Sequence, residues 1–370
     1  MIDNLKKKLE NLQKIAKERT VKTQNIEYDL ETLVKKIDKN IIKLDPEYQR
    51  NHRWSNETSS RLVESLILNI PIPTVYISQD IDVDEEVEYE IARYSVIDGQ
   101  QRLTAIHSFM KNKYKLEGMN VLEELNGFCY SELPAFLIRR LEERTLKCLR
   151  IDSTLDPQVK YDIFERLNTG AVQLESQELR NAIYRGKFND LIKELAQNNN
   201  FRKLIGVKLD NAEESSKVKK MQDIELVLRF FALDEGNYNN VKKGFKNFLS
   251  EEMEKFNKLD KIELEILKKK FISVIDYIIK NFGDNAFAKY KINSDKSKPM
   301  SKFNAAVYDA LMIGVSSNIN TLLGRNFNSD LKDSYIQLFD DIDFFSAVEG
   351  SVNDREKIIA RIEKVKGILS

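Results

Sequence analysis

The pattern of apolar and polar positions changes character twice along the chain. In the first nineteen residues Ile2, Leu5, Leu9, Leu12 and Ile15 recur at heptad-like spacing between Lys and Glu, which predicts an amphipathic helix. Its stripe needs a surface to cover it, either its own domain or a partner. Tyr28 to Lys39 predicts a second short helix. From Ile41 the runs shorten. Ile41 to Leu44 reads as a strand, and Ser55 as the N-cap of a helix carrying Leu62, Val63, Leu66 and Leu68. Ile70-Pro71-Ile72-Pro73 stops that helix, because proline lacks a backbone donor and fixes φ. Thr74 to Ser78 and Tyr89 to Ile97 then read as strands joined by the acidic stretch from Asp80 to Glu90, a solvated hairpin loop.

A helix with Leu103, Ile106, Phe109 and Met110 on one face follows directly after Asp98-Gly99. Tyr114 to Leu116 and Arg144 to Ile151 suggest further strands. Asp156-Pro157 opens a helix through Leu167, and Glu175 to Tyr184 another. Past residue 190 the spacing is helical almost throughout. Segments at Val218–Leu233, Val241–Phe256, Leu264–Phe282, Phe303–Ile313, Leu331–Phe339 and Asp354–Ile368 carry it. The expected fold class is α+β followed by an all-α half. The expected division is an N-terminal helix over 1–25, an α+β domain over 26–190 and a helical domain over 191–370.

Composition narrows the chemistry. In 370 residues, 59 Lys and Arg balance 59 Asp and Glu, which excludes binding nucleic acid as a bulk polycation; any such contact must be a local patch. Arg139, Arg140, Arg144, Lys147 and Arg150, or Lys217, Lys219 and Lys220, would form one. Cys129 and Cys148 are too few and too far apart for a disulfide framework or a zinc site, and His52 and His107 cannot make a zincin or an HNH centre. No apolar run approaches the roughly 20 residues that span a bilayer, so a cytoplasmic location and no membrane partner are expected.

Three clusters carry chemistry. The first is Val96-Ile97-Asp98-Gly99-Gln100-Gln101-Arg102-Leu103-Thr104, a strand, a glycine turn and a helix start. The unpaired first-turn N–H groups and the helix dipole suit an anion there, Arg102 adds a bidentate donor, and Asp98 can orient the turn. The alternative is ordinary turn chemistry with Arg102 paired to an acid. The second is Tyr48-Gln49-Arg50 with Arg53 and Trp54, which either stacks a base and grips phosphate or packs its aromatics on the core. The third is Phe164-Glu165-Arg166-Leu167-Asn168-Thr169-Gly170, followed by Gln177-Glu178-Leu179-Arg180-Asn181. It reads equally as a binding turn or as a helix pair with polar caps.

Taken in this order the clusters resemble the N-terminal domain of GmrSD-type, Type IV-like restriction proteins, a family marked by the Asp-Gly-Gln-Gln-Arg motif and a ParB/sulfiredoxin-like fold. The resemblance covers roughly residues 26–190. It implies a domain that binds, and in many relatives hydrolyses, a nucleoside triphosphate with Mg²⁺, in a bacterial anti-phage defence system. Carried over by motif, Asp98, Gln101 and Arg102 would be catalytic. Tyr48, Gln49, Arg50, Gly99, Gln100, Asn168 and Arg180 would bind the nucleotide, and no residue is assigned to a metal. The implied partners are the nucleotide, DNA, a separate nuclease or effector subunit, and a second copy of the chain.

The departures also matter. Many relatives carry an HNH nuclease domain, yet no histidine follows His107 here, and Glu-x-Lys is absent while Asp330-Leu331-Lys332 falls in a helical segment. Nuclease activity is therefore not expected of this chain. Gly170-Ala171 stands where relatives often have two glycines. The competing expectation is a non-catalytic DNA-binding or scaffold protein that keeps the ParB-like shape.

Overall fold

The computed structural model describes residues 22–44, 54–79, 94–152, 157–167, 175–241, 244–292, 298–324, 329–350 and 352–370. The helix expected over 1–25 and the acidic loop at 80–90 therefore fall largely or wholly outside the described residues. The chain divides between Leu174 and Glu175 into two compact units. The expected boundary at 190/191 lies further along, beyond helix Ser176–Ile183.

The first unit holds a five-stranded mixed sheet. Its strands are β1 (Thr23–Asp29), β2 (Ile42–Lys43), β3 (Val75–Gln79), β4 (Tyr94–Asp98) and β5 (Thr145–Ile151), in the order β1-β5-β3-β4-β2. β1 runs antiparallel to β5, β5 parallel to β3, β3 antiparallel to β4, and β4 parallel to β2. Four helices carry apolar stripes into one core: α1 (Leu30–Asp38), α2 (Asn56–Ile67), α3 (Gln100–Met110) and α4 (Ala135–Glu142). Leu33, Leu66, Leu103, Phe109 and Leu141 meet Val75, Ile77, Leu146 and Cys148 of the sheet there. Helix α5 (Pro157–Leu167) packs near β4.

Local chemistry sets most of the boundaries. Asp29 caps α1 by accepting the Thr32 N–H at 2.7 Å, and Ser55 caps α2 by accepting the Thr58 N–H at 3.1 Å. α2 ends at Ile67, ahead of the Ile-Pro-Ile-Pro segment, as its prolines require. Two expectations are corrected. Tyr28 belongs to strand β1, opposite Leu146, and the helix begins only at Leu30. The alternation there is too short to register, because only Ile26 and Tyr28 are apolar on an otherwise exposed edge strand. Tyr114 to Leu116 forms no strand: Leu116 exchanges two backbone bonds with Gly127 and Phe128 and no ladder extends from them.

The loop after α3 is organised by a buried carboxylate. Glu64 of α2 accepts backbone N–H groups from Val121 at 2.7 Å, Leu122 at 2.9 Å and Asn120 at 3.4 Å. Burial alone would raise its pKa, but these N–H groups hold the carboxyl below its usual range. Glu64→Ala strands those donors and is expected to cost about 2–3 kcal/mol. A denaturation midpoint unchanged from wild type would contradict this.

The second unit is helical. Its longer helices are α6 (Ser176–Ile183), α7 (Lys187–Leu195), α8 (Asn199–Leu204), α9 (Ser216–Lys219), α10 (Gln222–Leu233), α11 (Phe245–Phe256), α12 (Lys261–Phe282), α13 (Ala305–Leu323), α14 (Ser329–Gln337), α15 (Ile342–Ala347) and α16 (Arg355–Leu369). The single helix expected over 218–233 is broken in two at Met221, which adopts φ +52°. Tertiary packing overrides propensity there, since Val218 and Met221 are both buried. α13 and α16 lie close along each other. Gly314 permits this, because a Cβ at that position would stand 2.6 Å from Val365 Cγ1.

Candidate functional site

The motif junction begins where β4 ends at Asp98. Gly99 turns the chain with φ +97° and ψ 9°, a conformation that side-chain-bearing residues avoid. A Cβ on Gly99 would meet Val75 Cγ2 at 2.8 Å and Arg102 NH2 at 3.2 Å. Helix α3 starts at Gln100 with no side-chain cap and no acidic residue in its first turn. Its first-turn N–H groups and dipole therefore have no side-chain cap and no acidic first-turn residue against them, which is the chemistry that accepts an anion.

The motif's side chains divide. Arg102 donates through NH2 to Asp98 Oδ2 at 2.8 Å and through NH1 to the carbonyls of Thr74, at 3.3 Å, and Pro73. Its side chain is only 11% exposed, so the guanidinium lies along the protein. Gln101 accepts the Trp54 N–H on Oε1 at 3.1 Å, which ties the start of α2 to α3. Gln101 Nε2 is buried without a partner among the described residues, and so is Thr104 Oγ1. Gln100 is buried. The expected ion pair of Arg102 with an acid is thus found within the motif itself.

Tyr48, Gln49, Arg50 and Asn168 lie outside the described residues. Trp54 is described and packs against the core of the first unit, as the second reading of its cluster had it. Arg180 belongs to the second unit and is fully buried there. Its guanidinium donates to Gln177 Oε1 at 2.8 Å, Glu225 Oε2 at 3.0 Å and Ser250 Oγ at 3.3 Å. Those donors serve the interior of the helical unit. Lys217 is partly buried: its ammonium donates to the Ile205 carbonyl and sits 4.0 Å from the centre of the Phe303 ring.

Sequence reading missed three contributors: the Trp54 N–H, the Pro73 and Thr74 carbonyls, and Val75 beneath Gly99. The prolines were a usable signal. An extended Pro-containing segment pairs few of its carbonyls in a ladder, so a nearby arginine becomes their natural donor. Among the described residues no group of carboxylates, histidines and cysteines is arranged to hold a metal ion. No described helix is long and apolar enough to cross a membrane.

The fold and junction define an α+β domain in which a strand feeds an uncapped helix through an obligatory glycine. Residues 30–185 match the family described as GmrSD restriction endonuclease, N-terminal domain. A search of curated proteins found no significant match.

Proposed function

We propose that the segment over 30–185 is the nucleotide-binding part of a restriction-like anti-phage defence component, and that it acts as a sensor or regulatory subunit by hydrolysing a nucleoside triphosphate. The family match supports the defence setting. The observation that carries the nucleotide reading is the uncapped first turn of α3 behind Gly99. Phosphate oxygens would lie against its N–H groups, with Mg²⁺ bridging oxygens of the bound nucleotide. Charge on the transferring phosphoryl group would be stabilised by donors already in place, so catalysis would be largely electrostatic.

The test is binding and turnover of ATP, GTP, CTP and UTP with Mg²⁺ by the full chain and by Arg102→Ala. Turnover by the wild type and its loss in the variant are expected. No binding and background turnover in both would sink the reading. A DNA-binding reading has one observation in its favour. α4 exposes Phe136 at 60% beside exposed Arg139 and Arg140, which have no ion pair among the described residues. Duplex binding that weakens steeply with salt would support it.

A further inference from the structure

Buried carboxyls in this chain are met by cations or by several N–H donors. Asp309 has Arg229 and Arg361, Asp234 has Lys270, Glu252 has Lys255, and Glu64 has three backbone N–H groups. Asp223 is different. It lies in the first turn of α10 and is 3% exposed. Its Oδ1 accepts the N–H of its own neighbour Ile224 at 3.0 Å, and no ion pair reaches it among the described residues. A charge there is desolvated with little in return. Burial accordingly pushes the Asp223 carboxyl up to about 7.

The stretch leading into α10 has a left-handed residue at each end, Gly206 with φ +75° and Met221 with φ +52°. Glycine adopts such a backbone freely; methionine does not, so packing must hold Met221 there. Between them the 3-10 turn Ala212–Glu214 packs on α9, and α9 on α10. Val207, Ala212 and Val218 are buried, so the stretch covers core. It also grips α6, since Asn181 Nδ2 donates to Met221 Sδ at 3.0 Å and Lys220 pairs with Glu175 at 2.8 Å. The charges around Asp223 are few. Arg202 of α8 attracts it and Glu213 of the 3-10 turn repels it. Glu214 and Lys219 are exposed, Lys217 is turned to the Ile205 carbonyl and Phe303, and Arg180 is paired with Glu225. No histidine follows His107, so no imidazole of the helical unit titrates near neutrality.

We infer that residues 206–221 form a pH-operated latch at the start of α10, closed while the Asp223 carboxyl carries its proton and loosened when the proton leaves. The direction follows from burial. The closed state keeps the proton, whereas an opened state, with the carboxyl in water, releases it at about pH 4. This contribution to closure is therefore complete below about pH 4, falls as pH rises, and is lost above about 7. The charged carboxylate is then repelled by Glu213, which belongs to the stretch that moves. The latch is independent of the nucleotide reading and lies wholly within the second unit.

Hydrogen–deuterium exchange of the full chain, read by mass spectrometry and corrected for the intrinsic pH dependence of exchange, tests this. Peptides within 206–221 are expected to lose at least about tenfold in protection between about pH 5 and about pH 7 and to level off above that. Peptides of α13 and α16 should keep theirs. Asp223→Asn cannot ionise, so its protection over 206–221 should be flat across the same range. Glu213→Gln, at an exposed position, removes the repulsion and should move the levelling-off point to lower pH. Wild-type protection of 206–221 that does not change with pH would overturn the inference, and so would an Asp223→Asn protein with the wild-type pH dependence. Should Asp223→Asn not fold, Glu213→Gln decides, because a levelling-off point that stays where it is in the wild type overturns the latch equally.

Discussion

Replacing Asp309 by alanine is expected to cost the helical unit about 3–5 kcal/mol, the largest effect of any single substitution considered for this chain. Asp309 lies on α13 and is 1% exposed. Its Oδ1 accepts Arg229 Nε at 3.0 Å, and its Oδ2 accepts Arg361 NH2 at 2.7 Å and Arg229 NH2. Both arginines are almost wholly buried. One carboxylate therefore holds two guanidiniums, from α10 and α16, in the interior. Their other contacts are to protein oxygens, Asn353 Oδ1 for Arg229 and the Ala347 and Val352 carbonyls for Arg361 NH1, while Arg361 Nε has no partner among the described residues.

Removing the carboxylate leaves two buried positive charges without the counter-ion they share. That is far worse than the loss of any one hydrogen bond. Denaturant unfolding of the full chain, monitored by helical circular dichroism, reads the effect. A midpoint corresponding to a loss under about 1 kcal/mol would contradict it. Asp309→Asn keeps an acceptor and the volume, so it should fall between alanine and wild type.

Gly99→Ala is the second large effect, expected at about 1–3 kcal/mol together with loss of nucleotide binding. Two penalties add there. The backbone has φ +97°, and the new methyl meets Val75 Cγ2 at 2.8 Å. Val75 is fully buried in β3, between its neighbours β4 and β5, so it cannot move aside. Relief by rotating the turn would swing the first N–H groups of α3 and break the Arg102 contacts to Asp98 and Thr74. Val75→Ala placed in the Gly99→Ala background should recover the collision part and leave the backbone part. A Gly99→Ala protein within about 0.5 kcal/mol of wild type would show that the turn tolerates a side chain.

How much of this was legible in the sequence depends on the range of the forces involved. The cap at Ser55, the stop at Ile70-Pro71 and the glycine turn before α3 depend on groups a few residues apart, and sequence spacing reports those directly. The end of the edge strand β1, Tyr28 and Asp29, reads as the start of a helix because its pairing partner, β5, lies more than a hundred residues away. Met221 broke an apparently continuous helix because packing of its own side chain outweighed local propensity. For the candidate site, the motif and its order were readable, but the division of labour inside it was not. Asp98, Gln101 and Arg102 look alike as polar groups until distances show which donors the protein has already used.

The sequence by itself determined the class of fold, the change to helix in the second half, the family likeness of the segment over 30–185 and the place of its glycine turn. These follow from periodicity, from capping chemistry and from residue types that only one conformation accommodates. Only the tertiary structure decided that Arg180 and Lys217 are turned inward, that Arg102 contacts the Pro73–Thr74 segment, and that Gln101 keeps a donor without a partner among the described residues. A side chain's chemistry is written in the sequence; whether its hydrogen-bonding capacity remains free depends on which distant backbone folding brings against it.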